Sequence, residues 1–293
     1  MNRLVKYFTE GTVASNVQTV GAEIETQFVD SKGNPVQTAT SQKMLSLLVA
    51  NGWKIADSKN GLITKLTDAA GNNIFYELGR HNIEVSTVAA TPGTVISIAK
   101  NCLEQLYKVG QEFEAVPFFG PVLYGNSDLL VIPDDRDAIW VELDGCRALA
   151  PLARISAVQF TVSVNPARAI ETINRLGENI NLFLKDYPQD KIWRRYIKDS
   201  RAKYRTDRYG GPLLFEDMSD YCQRLSAHAV VQGTKLVPFS MVEELDIPLY
   251  LRSVWWYFRL KRYGKALCVE VRPMPRREDG MLQSQLEEVL DLI

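Results

Sequence analysis

The chain has 293 residues, 46% of them apolar and 24% charged, the composition of an ordinary globular protein with ample material for a large core. Thirty-four Lys plus Arg against 35 Asp plus Glu leave a formal charge of -1, which argues against a broad nucleic-acid-binding surface. No run approaches the roughly eighteen apolar residues of a membrane span, and the N-terminal Met1-Asn2-Arg3-Leu4-Val5-Lys6 lacks a secretory core. Four scattered cysteines and only two histidines, His81 and His228, exclude Cys/His zinc sites and point to a reduced, cytoplasmic setting. Any chemistry here must rest on carboxylates, arginines and metals.

In chain order, Val17 to Val29 reads as a strand closed by the turn Asp30 to Pro35. Thr40 or Ser41 is expected to cap a helix carrying Met44, Leu45, Leu47 and Leu48, with Gly52 past its end. Four short strands follow, Trp53–Ala56, Leu62–Thr67, Ile74–Leu78 and Asn82–Ser86, separated by turn residues in the manner of an antiparallel meander. Thr91-Pro92-Gly93 opens a long helix to about Phe113. A Pro/Gly-rich, acidic loop then runs to about Asp137. Ala157–Val164 is a strand, and Asn165-Pro166 opens a second long helix through Leu184. The arginine-rich stretch Lys191 to Tyr209 reads as a solvated helix face, or secondly as a loop over phosphates. Phe215–Leu225 is a helix, Ser253–Leu260 and Leu267–Arg272 are strands, and a last helix starts near Gly280. The fold class is α+β with a substantial antiparallel sheet, read as a single domain over 1–293.

Three patterns carry chemistry. In Gly21-Ala22-Glu23-Ile24-Glu25, residues two apart share a face, so Glu23 and Glu25 point together and repel unless a cation or water intervenes. In Tyr76 to Ser86, Glu77 and Glu84 flank a turn in which Gly79 supplies a positive φ. In Leu267 to Arg272, Cys268, Glu270 and Arg272 share one face, while Arg259 alternates with aromatics on the preceding strand. An oxygen-only set selects Mg²⁺ or Mn²⁺, ions that bridge phosphates to protein. No G-x-x-x-x-G-K-[ST] loop or dinucleotide fingerprint is present.

The order G-x-E-x-E, E-L-G-R-H-x-I-E-x-S-T, W-W-x-x-R and E-V-R, spread from Gly21 to Arg272, resembles the glutamate–cysteine ligase superfamily, in particular its bacterial carboxylate–amine ligase branch. The resemblance implies a curved antiparallel sheet with helices packed outside, like the glutamine synthetase catalytic domain. It also implies ATP-dependent amide formation through an acyl phosphate, with a glutamate-like carboxylate donor and an amino acid or amine acceptor. Carried over residue by residue, Glu23, Glu25, Glu77, Glu84 and Glu270 become candidate Mg²⁺ ligands, with Glu84 also counted among the catalytic groups. Arg272 becomes the binder of carboxylate or phosphoryl and Arg259 its support. Read from the residues themselves, Arg80, His81 and Gln159 are candidate substrate contacts, and Lys203, Arg205 and Arg208 candidate nucleotide-phosphate contacts. The sequence departs from the branch at Val158-Gln159-Phe160-Thr161-Val162, where H-x-H is usual, and at Pro273-Met274-Pro275 after Arg272. Two alternatives stay open: a catalytically silent relative binding a small molecule or protein partner on the same sheet, and a phosphate-ester hydrolase. Neither nucleic acid nor membrane is expected as a partner; a homodimer is one option for the assembly.

Overall fold

The structure, a computed structural model, describes residues 3–125 and 135–293. Its strands are β1 (Val20–Val29), β2 (Lys54–Lys59), β3 (Leu62–Thr67), β4 (Asn73–Tyr76), β5 (Asn82–Ser86), β6 (Val116–Phe118) and β7 (Ala157–Ser163). After these come the two-residue β8 (Tyr209–Gly210), β9 (Val230–Gln232), β10 (Lys235–Val237), β11 (Trp255–Trp256), β12 (Phe258–Tyr263) and β13 (Ala266–Pro275). Nine of them form one open sheet in the order β12-β13-β7-β1-β5-β4-β3-β2, with β6 also pairing with β1. Every pair in that sheet is antiparallel. The α+β expectation holds.

Alternation sorts the sheet into two faces. Ala22 and Ile24, Ile83 and Val85, Val158, Phe160 and Val162, and Val269 and Val271 are all buried on the apolar face. Helix Pro92–Gln111 packs on β1 and β5, and helix Ala169–Glu178 on β12 and β13. The buried apolar side chains of sheet and helices join in one cluster. The opposite face carries Glu23, Glu25, Glu84, Gln159, Thr161, Arg259, Lys261, Cys268 and Glu270, because each sits directly across from another member in the register.

Turn chemistry sets that register. Asn60 at φ 50° and Gly61 at φ 78° form a two-residue loop between the paired ends Lys59 and Leu62, the primed geometry that matches strand twist. Between β13 and β7 the pairing slips from Val271↔Phe160 to Met274↔Val158. The bulge so formed contains Arg272 and Pro273; proline removes a ladder donor and suits such a position.

Several expected boundaries move. The second helix is Thr38–Ala50, with Gln37 at its N-cap and no side-chain cap, so neither Thr40 nor Ser41 caps it. Strand Trp53–Ala56 becomes Lys54–Lys59, and Ile74–Leu78 stops at Tyr76, leaving Glu77 beyond the strand at the mouth of the turn. The loop read to Asp137 contains β6 and gives way to a helix at Asp135; residues 126–134 lie outside the described residues. The helix expected from Asn165 to Leu184 is broken into a 3-10 turn at Pro166–Arg168, a helix Ala169–Glu178 and a short helix Ile180–Leu184. Asn165 does cap its start, its side chain accepting from Ala167 N. The arginine-rich stretch opens as helix Gln189–Asp199, and the next helix is Met218–Ser226, capped by Asp217 rather than opening at Phe215. Ser253–Leu260 is interrupted at Tyr257, whose neighbours belong to β11 and β12.

Candidate functional site

The polar face divides into an acidic half and a basic half. In the acidic half, Glu25 lies directly across from Glu84, and Glu23 across from Ser86 and Gln159. Glu25 Oε2 accepts from Ala157 N at 2.9 Å and Oε1 from Gln159 Nε2 at 3.1 Å. Even so, burial first and the charge of Glu77 second push the Glu25 carboxyl up to about 8. Burial, then Glu23, Glu77 and Glu25, raise Glu84 well above the usual carboxylate range. Gly79 makes this convergence possible: at φ 115°, with Ala153 O 3.0 Å from where a Cβ would stand, it turns the chain so that Glu77 and Glu84 face the same region.

In the basic half, Glu270 is fully buried yet surrounded by cations. Arg259 donates to its Oε2 through Nε at 2.7 Å and Nη2 at 2.6 Å. Lys261 contacts its Oε1, and Arg272 Nη1 lies 3.4 Å from Oε2. Burial drives the Glu270 carboxyl upward, but Arg259, Lys261 and Arg272 outweigh burial and hold it well below the carboxylate range. Lys261 also reaches Glu23 Oε1 at 3.4 Å, tying the two halves together. Lys261 is the residue the sequence reading missed. Its signal was there in Arg259-Leu260-Lys261, since alternation puts it on the Arg259 face.

The bulge re-aims Arg272. Its backbone N–H donates to Tyr257 O at 3.0 Å, and its Nη1 donates to Gln159 Oε1 at 2.6 Å. Gln159 thus bridges Arg272 and Glu25 where the family branch has histidine. Arg272, Gln159, Glu25 and Glu77 line a cavity of about 80 Å³, walled on its other side by Tyr187, Trp193, Tyr209, Trp255 and Tyr257.

Other expected site residues are placed differently. His81 is neither on the surface nor free to meet substrate: it is fully buried, its Nε2 3.0 Å from Gln27 Oε1. Burial, then Arg154 and Arg80, lower it to about 3, so it is neutral. Arg80 donates to Val36 O at 3.1 Å. Arg208 does not overlie phosphates. It is buried, giving its guanidinium to Ser253 O at 2.7 Å, Ser253 Oγ at 3.0 Å and Ala229 O at 2.9 Å, over the rings of Tyr204 and Trp255. Such a side chain is a strut, because freeing it would leave buried acceptors unpaired. Arg205 is exposed and paired with Asp207, and Lys203 is exposed. Cys268 shares the Glu270 face, directly across from Lys261. His228 is buried against Trp256.

The donors of the acidic half are all oxygen, the set that hard divalent cations take. The upward shifts of Glu25 and Glu84 mark carboxylates short of positive charge, which such an ion would supply. Glu270 is placed apart from that set, its charge met by Arg259, Lys261 and Arg272. Among the described residues, no three His, Cys, Asp or Glu side chains stand in a ready ligating group; Glu25 would have to exchange its present donors to join one. No helix among the described residues is long and apolar enough to cross a membrane.

No protein-family model matches the chain, and no curated protein matches it in sequence. Solved structures do match in fold. A glutamate–cysteine ligase from Francisella tularensis, in complex with AMP, superposes with TM-score 0.51 at 12% identity, over 96% of this chain and 68% of that one. A bifunctional glutathione synthetase from Pasteurella multocida superposes with TM-score 0.52 at 12% identity, over 92% of this chain but only 37% of that one. The ordered glutamate and arginine motifs implied this relationship, and the chain has the fold of glutamate–cysteine ligase.

Proposed function

We propose that the chain, acting as one domain, is an ATP- and Mg²⁺-dependent ligase that joins a glutamate-like carboxylate to an amine through an acyl phosphate. One observation carries this reading: a single sheet face sets buried, charge-starved carboxylates, Glu25 and Glu84, beside a basic cluster organised on Glu270. Glu23, Glu25 and Glu84 would hold Mg²⁺, which when bound supplies the counter-charge between ATP phosphate and incoming carboxylate. Arg272, steadied by Gln159 and Glu270, binds the carboxylate or the transferring phosphoryl group where it faces the cavity. Arg259 and Lys261 act through Glu270 as positioning residues. Lys203 and Arg205, exposed, are the remaining candidates for the nucleotide phosphates. The glutamate–cysteine ligase of like fold is in complex with AMP, which supports a nucleotide as ligand. The four free cysteines suit a reducing cytoplasm.

Incubating the protein with ATP, Mg²⁺ and a panel of amino acids and amines should release ADP and phosphate. Absence of turnover with every panel member, together with wild-type nucleotide affinity in Glu23→Ala, would refute the proposal. A metal-independent binding protein is favoured by one observation, that the charge of Glu270 is already met within the chain and Glu25 already accepts two hydrogen bonds. Thermal-shift titrations with and without Mg²⁺ separate the readings, since only the ligase gains nucleotide-dependent stability from the metal.

A further inference from the structure

The aromatic end of the cavity has a chemistry of its own. Two carboxylates, Glu25 and Glu77, face it against one cation, Arg272, which is itself engaged by Gln159 and Glu270. The Glu77 carboxylate accepts from no donor among the described residues. Asn82, 1% exposed, also lines the cavity; its Nδ2 donates to Ile155 O at 2.9 Å, but its buried Oδ1 has no donor. The buried Asn82 Oδ1 is costly to leave unpaired unless a ligand or water completes it, and the half-buried Glu77 lines the same cavity. Trp193 stacks on Tyr209 with ring centroids 5.3 Å apart and planes 5° from parallel, and meets Trp255 at 5.3 Å. Unmet acceptors, the Glu77 carboxylate and aromatic walls together select an organic cation that carries N–H bonds.

We propose that this end of the cavity seats a primary alkylammonium group, its N–H bonds going to Asn82 Oδ1 and the Glu77 carboxylate and its alkyl body lying against Trp193, Tyr209 and Trp255. This names the amine class of the ligase proposed above, and rests on that reading only for the amine's role as acceptor. An anionic or neutral acceptor is disfavoured by the same lining, since its oxygens would meet Asn82 Oδ1 and the Glu77 carboxylate. A quaternary ammonium would satisfy the rings but leave Asn82 Oδ1 unmet.

Calorimetric titration of the full chain, without nucleotide, tests the site with n-butylammonium, tetramethylammonium and n-butanol. Butylammonium should bind, with the other two about tenfold or more weaker, and Trp193→Ala and Glu77→Gln should each weaken it about tenfold. Trp193 and Glu77 are both half-buried, so neither change empties the core. Equal binding of butanol, equal binding of tetramethylammonium, no butylammonium binding, or wild-type affinity in both folded variants would each overturn the assignment. Ammonium binding without ATP turnover would sink the ligase reading and leave this site standing. ATP turnover with amines but no ammonium binding would do the reverse.

Discussion

Glu270→Gln is the most discriminating single change in this protein. If Glu270 were a metal ligand waiting for its ion, removing its charge would relieve the metal-free protein. The structure shows the opposite environment: a fully buried carboxylate receiving two bonds from Arg259 and contacts from Lys261 and Arg272. The amide keeps the shape and one acceptor but leaves three cations around a neutral group, and Arg259 is itself only 3% exposed in its side chain. Breaking a buried pair in this way costs about 3–5 kcal/mol; the residual acceptor and the carbonyl of Val254, 2.9 Å from Arg259 Nη1, place the expectation near about 3 kcal/mol. For a domain of this size that corresponds to a fall in Tm of about 6 °C or more. The assay is thermal or urea unfolding in EDTA, with Glu84→Gln measured alongside. Glu84 is also buried, but burial and the neighbouring carboxylates favour its acid form and, among the described residues, no cation pairs with it as Arg259 does with Glu270, so its amide should cost far less stability than Glu270→Gln. An unchanged or raised Tm for Glu270→Gln would refute the assignment of Glu270 to the ion-pair network.

The remaining predictions follow from the same geometry. Because folding raises the Glu25 carboxyl from 4.5 to about 8, its contribution is full below pH 4.5 and is lost as pH rises to about 8. The stability of Glu25→Gln relative to wild type should therefore climb by several kcal/mol across that window in EDTA, and a flat difference measured by urea titration at each pH would contradict the burial argument. His81, lowered to about 3, acts oppositely between pH 3 and 6.5, which is why the difference between the two proteins and not the wild-type profile is the observable. Gly79→Ala should cost about 1–3 kcal/mol through its positive φ and the close Ala153 carbonyl, and should weaken Mg²⁺-dependent nucleotide binding as Glu77 and Glu84 drift apart. Arg208→Ala should lower stability by about 3 kcal/mol while the folded fraction keeps its nucleotide affinity; a selective loss of affinity would restore a phosphate-binding role. Arg272→Lys keeps the charge but loses the guanidinium fork, so steady-state turnover should fall about 100-fold with nucleotide binding intact.

Alternation along single strands is a local property, and it was legible in the sequence. It set Glu23 with Glu25, set Glu270 with Arg272, and marked the apolar face that the helices cover. Turn chemistry was legible for a similar reason: Gly79 and the Asn60-Gly61 pair lie where the backbone must turn at positive φ. Helix limits were less so: the Asn165 segment breaks at Asn179, and Gly177 just before it lies inside the helix, packed against Leu213.

Which charge meets which was decided elsewhere. Strand order put Glu25 opposite Glu84 across some sixty residues of sequence and brought Arg259, Lys261 and Arg272 onto one carboxylate. Burial turned Arg208 and His81 from candidate ligand contacts into supports, since both side chains are enclosed by the protein and spend hydrogen bonds on neighbouring groups of the chain. The bulge at Arg272 and Pro273 settled where the key arginine points. Periodicity depends only on the residue's own backbone, whereas charge pairing and solvation depend on which distant segments pack beside it, and only the folded chain contains that information.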